Sequence, residues 1–273
     1  MAVVAYGPGV RHIVVTVGPG DVDLVSGLAW LAGAHGVEER GDTGGVDLVV
    51  ALDDPAAFLH ELRGVGDRWP RREVTLDADE WVESWKQWAR AVELDGFTVR
   101  PPWLDAPRAG LDVVIDPGRA WGHGAHPTTR LILDALAADP PAGRSVLDVG
   151  CGSGVLSVTA AVLGAARVVA VDVDPEAVTA TAVNAAVNGV AVEVSDRAVG
   201  ALTERFDLVL ANIDAPVLLA LGADIAARVA GCGTALVSGL LAGRAAEVVV
   251  AFAPLRVVDR WMIDDWVGLR LAP

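Results

Sequence analysis

The sequence predicts an α/β protein: a doubly wound, mostly parallel sheet filling the carboxy-terminal part of the chain, preceded by a small α+β domain. Three observations predict it. From Ser145 onward, apolar strand-like runs alternate with helix-like stretches, the order that builds a parallel sheet covered on both faces. Mean hydropathy is high, at +0.44, and 53% of the residues are apolar. Even so, the richest stretch, Val155 to Val171, is interrupted by Gly164 and Arg167 and carries Ser157 and Thr159. A membrane span needs about 18 uninterrupted apolar residues, whereas buried parallel strands read as near-continuous Val/Leu/Ile runs. Finally, the first 76 residues carry shorter alternating segments of their own, and 273 residues are enough to bury a core in each of two domains.

In the amino-terminal domain, placed at residues 1–76, His12 to Val17 reads as a strand. Asp21 to Ala34 reads as a helix with Val22, Val25, Leu28, Ala29 and Ala32 on one face. A weak strand near Gly36 to Glu39 precedes a stronger one at Val46 to Leu52. A helix opened by proline spans Pro55 to Leu62, and Arg72 to Leu76 closes the domain as a strand. The order is βαββαβ, that of a ferredoxin-like fold.

Residues 77–109 read as a linker. DEWVESWKQWAR places Trp81, Trp85 and Trp88 on one face of a helix, with Asp79 and Glu80 at its positive end. An aromatic face of that kind predicts a helix packed between domains rather than an exposed recognition stripe. Phe97 to Leu104 is extended, because Pro101 and Pro102 cannot continue a helix. In the domain at 110–273, strands are expected at Ser145 to Val149, Val168 to Asp172, Val192 to Val194, Leu208 to Ala211, Thr234 to Ser238, Arg256 to Asp259 and Val267 to Leu271.

Four segments carry chemistry. In SVLDVGCGSG, a strand containing Asp148 runs into Gly150, Gly152 and Gly154, and a helix follows at once. Such a turn lets a ligand approach the backbone, and the helix start offers free N–H groups. The next strand ends in VVAVDVD, which puts Asp172 at its carboxyl edge, where an acidic residue can accept both hydroxyls of a ribose. A third segment, DLVLANID, puts Asn212 and Ile213 just past the fourth strand. The fourth, GRAWGHGAHPTTRLILDAL, is a glycine-rich loop closing through His126 onto a helix. Thr128 and Thr129 near its start suit capping and hydrogen bonding to a carboxylate. The glycine spacing, G-x-G-x-G, departs from the G-x-G-x-x-G of dinucleotide sites.

Taken together these segments resemble the PrmA family, bacterial class I S-adenosylmethionine-dependent methyltransferases that modify large-subunit ribosomal protein eleven. The family pattern AFGTGTHPTT, LDxGCGSG, DxDPxA, ANI and a closing S-G-L/I-L turn reads here as AWGHGAHPTT, LDVGCGSG, DVDPEA, ANID and SGLL. The match spans roughly residues 79–273. Trp121, His123, Ala125 and Asp214 depart from it.

The resemblance implies a Rossmann-like core and S-adenosyl-L-methionine as cofactor, contacted by Thr129, Gly150, Asp172 and Asn212, with Thr128, Asp148, Gly152 and Gly154 completing the site. Asn212 and the Ile213 carbonyl would orient the acceptor amine, with the loop at His126 closing over the cofactor. A lysine or N-terminal amine of a ribosomal protein would be the acceptor, another protein lysine or a small-molecule amine the alternative.

Composition bounds the partners. There are 36 acidic against 21 basic residues, a net charge of −15, and a single lysine, Lys86. Phosphate-backbone binding needs clustered Lys and Arg, so neither nucleic acid nor an anionic membrane is expected as direct partner, and a basic protein is. Residues 1–105 hold 18 acidic and 9 basic residues, and residues 106–273 hold 18 and 12, so the amino-terminal domain would steer such a substrate. Cys151 and Cys232 cannot make a disulfide framework, and the amino terminus lacks the form of a signal peptide, so a cytoplasmic setting is expected; a monomer is expected as well.

A hydride-transfer enzyme is disfavoured because the only tyrosine, Tyr6, and the only lysine, Lys86, cannot form a Tyr-x-x-x-Lys pair. His123 and His126 form an H-x-x-H without a third ligand in reach, so no metal is expected. Cys151 reads as a small buried packing residue rather than a nucleophile.

Overall fold

The structure is a computed structural model, and it describes residues 11–34, 36–42, 45–52, 54–66, 68–75, 90–116 and 124–273. The chain divides into two compact units, Met1–Trp88 and Ala89–Pro273. The tryptophan-bearing stretch at Trp81, Trp85 and Trp88 and the loop residues Trp121 and His123 lie outside the described residues.

In the first unit, β1 (Arg11–Val17), α1 (Val22–Leu31), β2 (Gly36–Asp42), β3 (Gly45–Ala51), α2 (Pro55–Gly64) and β4 (Arg71–Thr75) follow one another. The sheet order is β2-β3-β1-β4, antiparallel throughout, the ferredoxin-like arrangement. Helix α1 is shorter than its apolar periodicity suggests: a 3-10 turn over Pro19–Asp21 leads into it, and Gly33, at φ 82°, stands in the turn that follows Leu31. Helix α2 starts where Asp54 accepts a hydrogen bond from the Ala56 amide, with Pro55 in the first turn. Ile13, Val15, Val25, Leu48, Val50, Phe58 and Leu62 form the core of this unit.

The second unit begins earlier than residue 110. Strands β5 (Val92–Glu93) and β6 (Phe97–Arg100), within the stretch expected to be linker, form a three-stranded sheet with β7 (Leu111–Val114) just beyond it. Their apolar residues explain the difference. Val92, Phe97, Val99 and Val113 join the core beneath the main sheet, and burying them outweighs a freely running connection. Pro101 and Pro102 do end β6.

The main sheet has seven strands: β8 (Ser145–Val149), β9 (Arg167–Val171), β10 (Glu193–Ser195), β11 (Phe206–Asn212), β12 (Val229–Leu241), β13 (Arg256–Ile263) and β14 (Trp266–Ala272). They lie in the order β10-β9-β8-β11-β12-β14-β13, and only β14 runs antiparallel to the rest. Helix α3 (Pro127–Ala138) precedes β8, and α4 (Val155–Val162), α5 (Pro175–Val187), α6 (Ala215–Ala227) and α7 (Ala245–Ala251) lie between the strands in sequence.

Alternation along the strands divides the core in two. Val146, Leu208, Leu210 and Leu236 pack with the α3, α4 and α5 side, while Leu147, Val149, Val209, Ala211, Ala235 and Val237 pack with α6 and α7. Because both faces are covered, the strands are apolar throughout, which accounts for the high hydropathy. Among the described residues no helix is long and apolar enough to cross a membrane.

Helix α3 is tied to the antiparallel edge by Trp261, whose indole N–H donates to the Leu131 carbonyl at 2.9 Å. The Trp261 ring lies over Gly268, its cross-strand partner, where a Cβ would meet it. That packing fixes the helix whose first turn carries Thr128 and Thr129.

Candidate cofactor and acceptor site

Chain progression runs outward from β8 to β10, then reverses through β11, so the switch in direction lies between β8 and β11. Ligands of doubly wound sheets bind at the carboxyl ends of the strands beside such a switch. Gly150 to Gly154 follow β8, Asp172 follows β9, and Asn212 ends β11.

The glycine turn is held from several sides. Gly150 donates from its amide to the Val171 carbonyl at 2.9 Å, and Gly154 to the Cys151 carbonyl at 2.8 Å. Gly150 has φ 74°, and a Cβ on it would overlap the Ile213 side chain, so only glycine fits there. Asp172 accepts from the Gly152 amide at 2.9 Å through one carboxylate oxygen and from the Asp174 amide at 3.0 Å through the other. It is half-buried, and each oxygen keeps a further lone pair for a ligand hydroxyl.

Asp148 lies beneath this turn, 1% exposed. One of its oxygens accepts from the Ser157 amide at 3.0 Å, in the first turn of α4, so a strand carboxylate caps the helix start. The other, Oδ1, is buried with no hydrogen-bond partner among the described residues. Burial pushes the Asp148 pKa up to about 7, and the charge of Asp172 adds to the rise. A buried acceptor without a partner beneath a glycine cradle fits a cationic ligand with hydrogen-bond donors. Cys151 is buried, and desolvation pushes its thiol up to about 12, which leaves it an inert packing residue.

At the other side of the crevice, Asn212 donates from its side-chain amide to the Thr129 hydroxyl at 3.0 Å, joining β11 to the first turn of α3. Thr129 is 2% exposed. Ile213 lies between two glycines, since a Cβ on Gly239 would overlap its carbonyl. Gly239 belongs to SGLL, which is not the turn expected but the end of β12, where an irregularity between Val237 and Leu240 gives Gly239 a positive φ beside the register pair Asn212–Ser238.

Thr128 and His126 sit differently from the expectation. Pro127 takes the first helical position, so His126 becomes the cap, and its Nδ1 accepts from the Thr128 amide at 3.3 Å. The Thr128 hydroxyl lies 2.8 Å from the same nitrogen, so Thr128 is turned to His126. The His126 ring meets Trp266 edge-on, with centroids 5.2 Å apart.

Asp214 caps α6, accepting from the Val217 amide, a structural reason for an acidic residue there. Sequence reasoning passed over Ser157, Thr181, Asn184 and Trp266, because their roles depend on contacts between distant segments. Among the described residues no three His, Cys, Asp or Glu side chains gather as a metal site. A surface groove of about 490 Å³ lined by Glu93, Thr98, Asp105 and Arg108 contains none of the site residues.

Comparison with known proteins agrees with this geometry. The sequence profile described as "Ribosomal protein L11 methyltransferase (PrmA)" matches residues 57–272. A ribosomal protein L11 methyltransferase of Symbiobacterium thermophilum is 36% identical over 262 residues, covering 92% of this chain and 82% of that one. One from Geotalea daltonii is 34% identical over 273 residues, covering 93% and 84%. The crystal structure of a ribosomal protein L11 methylase from Lactobacillus delbrueckii subsp. bulgaricus superposes with a TM-score of 0.62 at 28% identity, covering 67% of this chain and 98% of that one. With the glycine turn, the acidic strand end and the asparagine set around one crevice, this chain belongs to the ribosomal protein L11 methyltransferase family, S-adenosylmethionine-dependent protein methyltransferases of class I fold.

Proposed function

We propose that this chain methylates lysine side-chain or N-terminal amines of ribosomal protein L11, or its equivalent, with S-adenosylmethionine as donor. The observation that carries the reading is the bond from Asn212 to Thr129, which fixes a neutral carboxamide at the strand edge facing the glycine turn.

In this reading Asp172 accepts the ribose hydroxyls, the partnerless oxygen of Asp148 faces the cationic end of the cofactor, and Gly150, Gly152 and Gly154 give the backbone room. Thr129 and Thr128 complete that wall from α3. The sulfonium supplies an electrophilic methyl group with a neutral leaving thioether. The chain's task is to present an unprotonated amine in line with it. Deprotonating a lysine of pKa about 10.4 at neutral pH costs on the order of 4 kcal/mol, an α-amine well under 1.5. Desolvation lowers both. Asn212 and the Ile213 carbonyl accept from the amine and aim its lone pair, with His126 at the mouth of the site, and no strong general base is required.

The acidic amino-terminal part of the chain, 18 acidic against 9 basic residues over 1–105, supplies attraction for a basic protein without nucleic-acid contact. Two free cysteines suit a cytoplasmic enzyme. Incubation with methyl-labelled S-adenosylmethionine and unmethylated L11, followed by mass spectrometry, is expected to place label on amines of that protein. Cofactor binding without label on L11 would sink the acceptor assignment.

A further inference from the structure

Two side-chain amides of α5 read the free edge of a strand. Strand β7 pairs with β6 on one side, where Ile115 continues the ladder by donating to the Arg100 carbonyl at 2.9 Å. On its other edge no strand follows among the described residues. Val114 instead donates to Asn188 Oδ1 at 2.8 Å and accepts from Asn188 Nδ2 at 2.6 Å. Asp116, two residues on, repeats the pattern with Asn184: its amide donates to Oδ1 at 3.0 Å and its carbonyl accepts from Nδ2 at 2.8 Å. Residues i and i+4 of a helix are spaced closely enough to match residues i and i+2 of an extended chain, so each carboxamide replaces one peptide of a missing strand.

The two asparagines differ in their remaining hydrogen. Asn188 donates it to Asn184 O, in its own helix, at 2.7 Å. Asn184, 1% exposed, donates it to the Ser153 carbonyl at 2.8 Å, inside the glycine turn. One turn earlier, Thr181 donates from its hydroxyl to the Gly152 carbonyl at 3.0 Å, and a Cβ on Gly154 would meet Thr181 at 2.9 Å. Two consecutive carbonyls of the turn are thereby drawn to α5. In a trans peptide the following N–H points the opposite way, so these two bonds set the direction of the Ser153 and Gly154 amides.

We propose that Asn184 is a positioning residue for the cofactor, tying the glycine turn through Ser153 to Asp116 just past β7 and holding the turn in its binding conformation. The inference rests on the reading of residues 150–154 as the cofactor site. It assigns the residue a part in binding that its neighbour Asn188, with the same strand-like grip on β7, does not share.

The test is titration calorimetry of the full chain with S-adenosylhomocysteine, alongside thermal unfolding, for the wild type, Asn184→Asp and Asn188→Asp. Each substitution keeps the acceptor for its backbone amide, Asp116 or Val114, and removes the donors. Both variants are expected to melt below the wild type. Asn184→Asp should bind about tenfold or more weakly, while Asn188→Asp stays within about twofold. Turnover of Asn184→Asp at saturating cofactor should fall much less than its cofactor KM rises. Equal weakening in the two variants, or wild-type affinity in Asn184→Asp, overturns the proposal. A wild type that binds no S-adenosylhomocysteine overturns the cofactor site itself. Where Asn184→Asp does not fold, Asn184→Ser is titrated by the same criteria.

Discussion

Asn212 and Thr129, 83 residues apart in sequence, meet through a single 3.0 Å hydrogen bond that spans the crevice between β11 and α3. The bond restrains a carboxamide that would otherwise rotate freely, and a misplaced reacting group costs up to about a hundredfold in rate. Asn212→Ala should lower turnover by about that factor while S-adenosylhomocysteine still binds. Thr129→Ser, which keeps the hydroxyl, should retain more activity than Thr129→Val. Full turnover in Asn212→Ala with cofactor bound would exclude a role in amine alignment.

Asp172 binds both the turn and, in our reading, the ribose. Asp172→Ala should weaken cofactor binding by about 1.5 to 3 kcal/mol, the range for a hydrogen bond to a charged group. Calorimetry measures this directly, and unchanged affinity would remove Asp172 from the site.

Gly150 cannot carry a side chain without moving Ile213. Gly150→Ala therefore combines an unfavourable positive φ with steric overlap, a cost of about 1 to 3 kcal/mol in backbone strain alone. A drop in melting temperature together with lost cofactor binding is expected. Wild-type binding in this variant would mean that the turn is looser than its geometry implies.

Asp148 makes stability depend on pH. Its folded pKa, about 7, lies above the ordinary carboxylate value of 3.8, so the folded state holds the proton more tightly than the unfolded state. Stability is therefore greatest below the unfolded value, falls as pH rises from about 4 to about 7, and is flat beyond. Asp148→Asn should abolish that slope and melt above the wild type at pH 8, with the advantage vanishing near pH 4. It should also bind the cationic cofactor more weakly, because a buried negative charge is gone. Melting curves of both proteins at pH 4, 6 and 8 check the sign, and parallel slopes would exclude Asp148 as the source.

Much of the core could be read from residue order. The strand from Ser145 to Val149 appears with its expected bounds, and Gly150, Asp172 and Asn212 fall at the carboxyl ends of β8, β9 and β11 because each follows an apolar run. Periodicity also gave the first unit its strand and helix order. It was silent on β5 and β7, too short for a period to show, and on the helix cap. Two threonines looked the better caps, until Pro127 set the helix start and left His126 in that place.

By itself, then, the sequence determined the alternating β and α order, the G-x-G-x-G turn and the acidic and amide residues placed at the strand ends. These depend on local spacing and on which residue types tolerate a tight turn. Only the tertiary structure decided which distant groups meet: Asn212 with Thr129, Asp148 with the Ser157 amide, and Asn184 with both Ser153 and Asp116. Such pairings are set by sheet order and by helix packing across it, and no short window of sequence holds both partners.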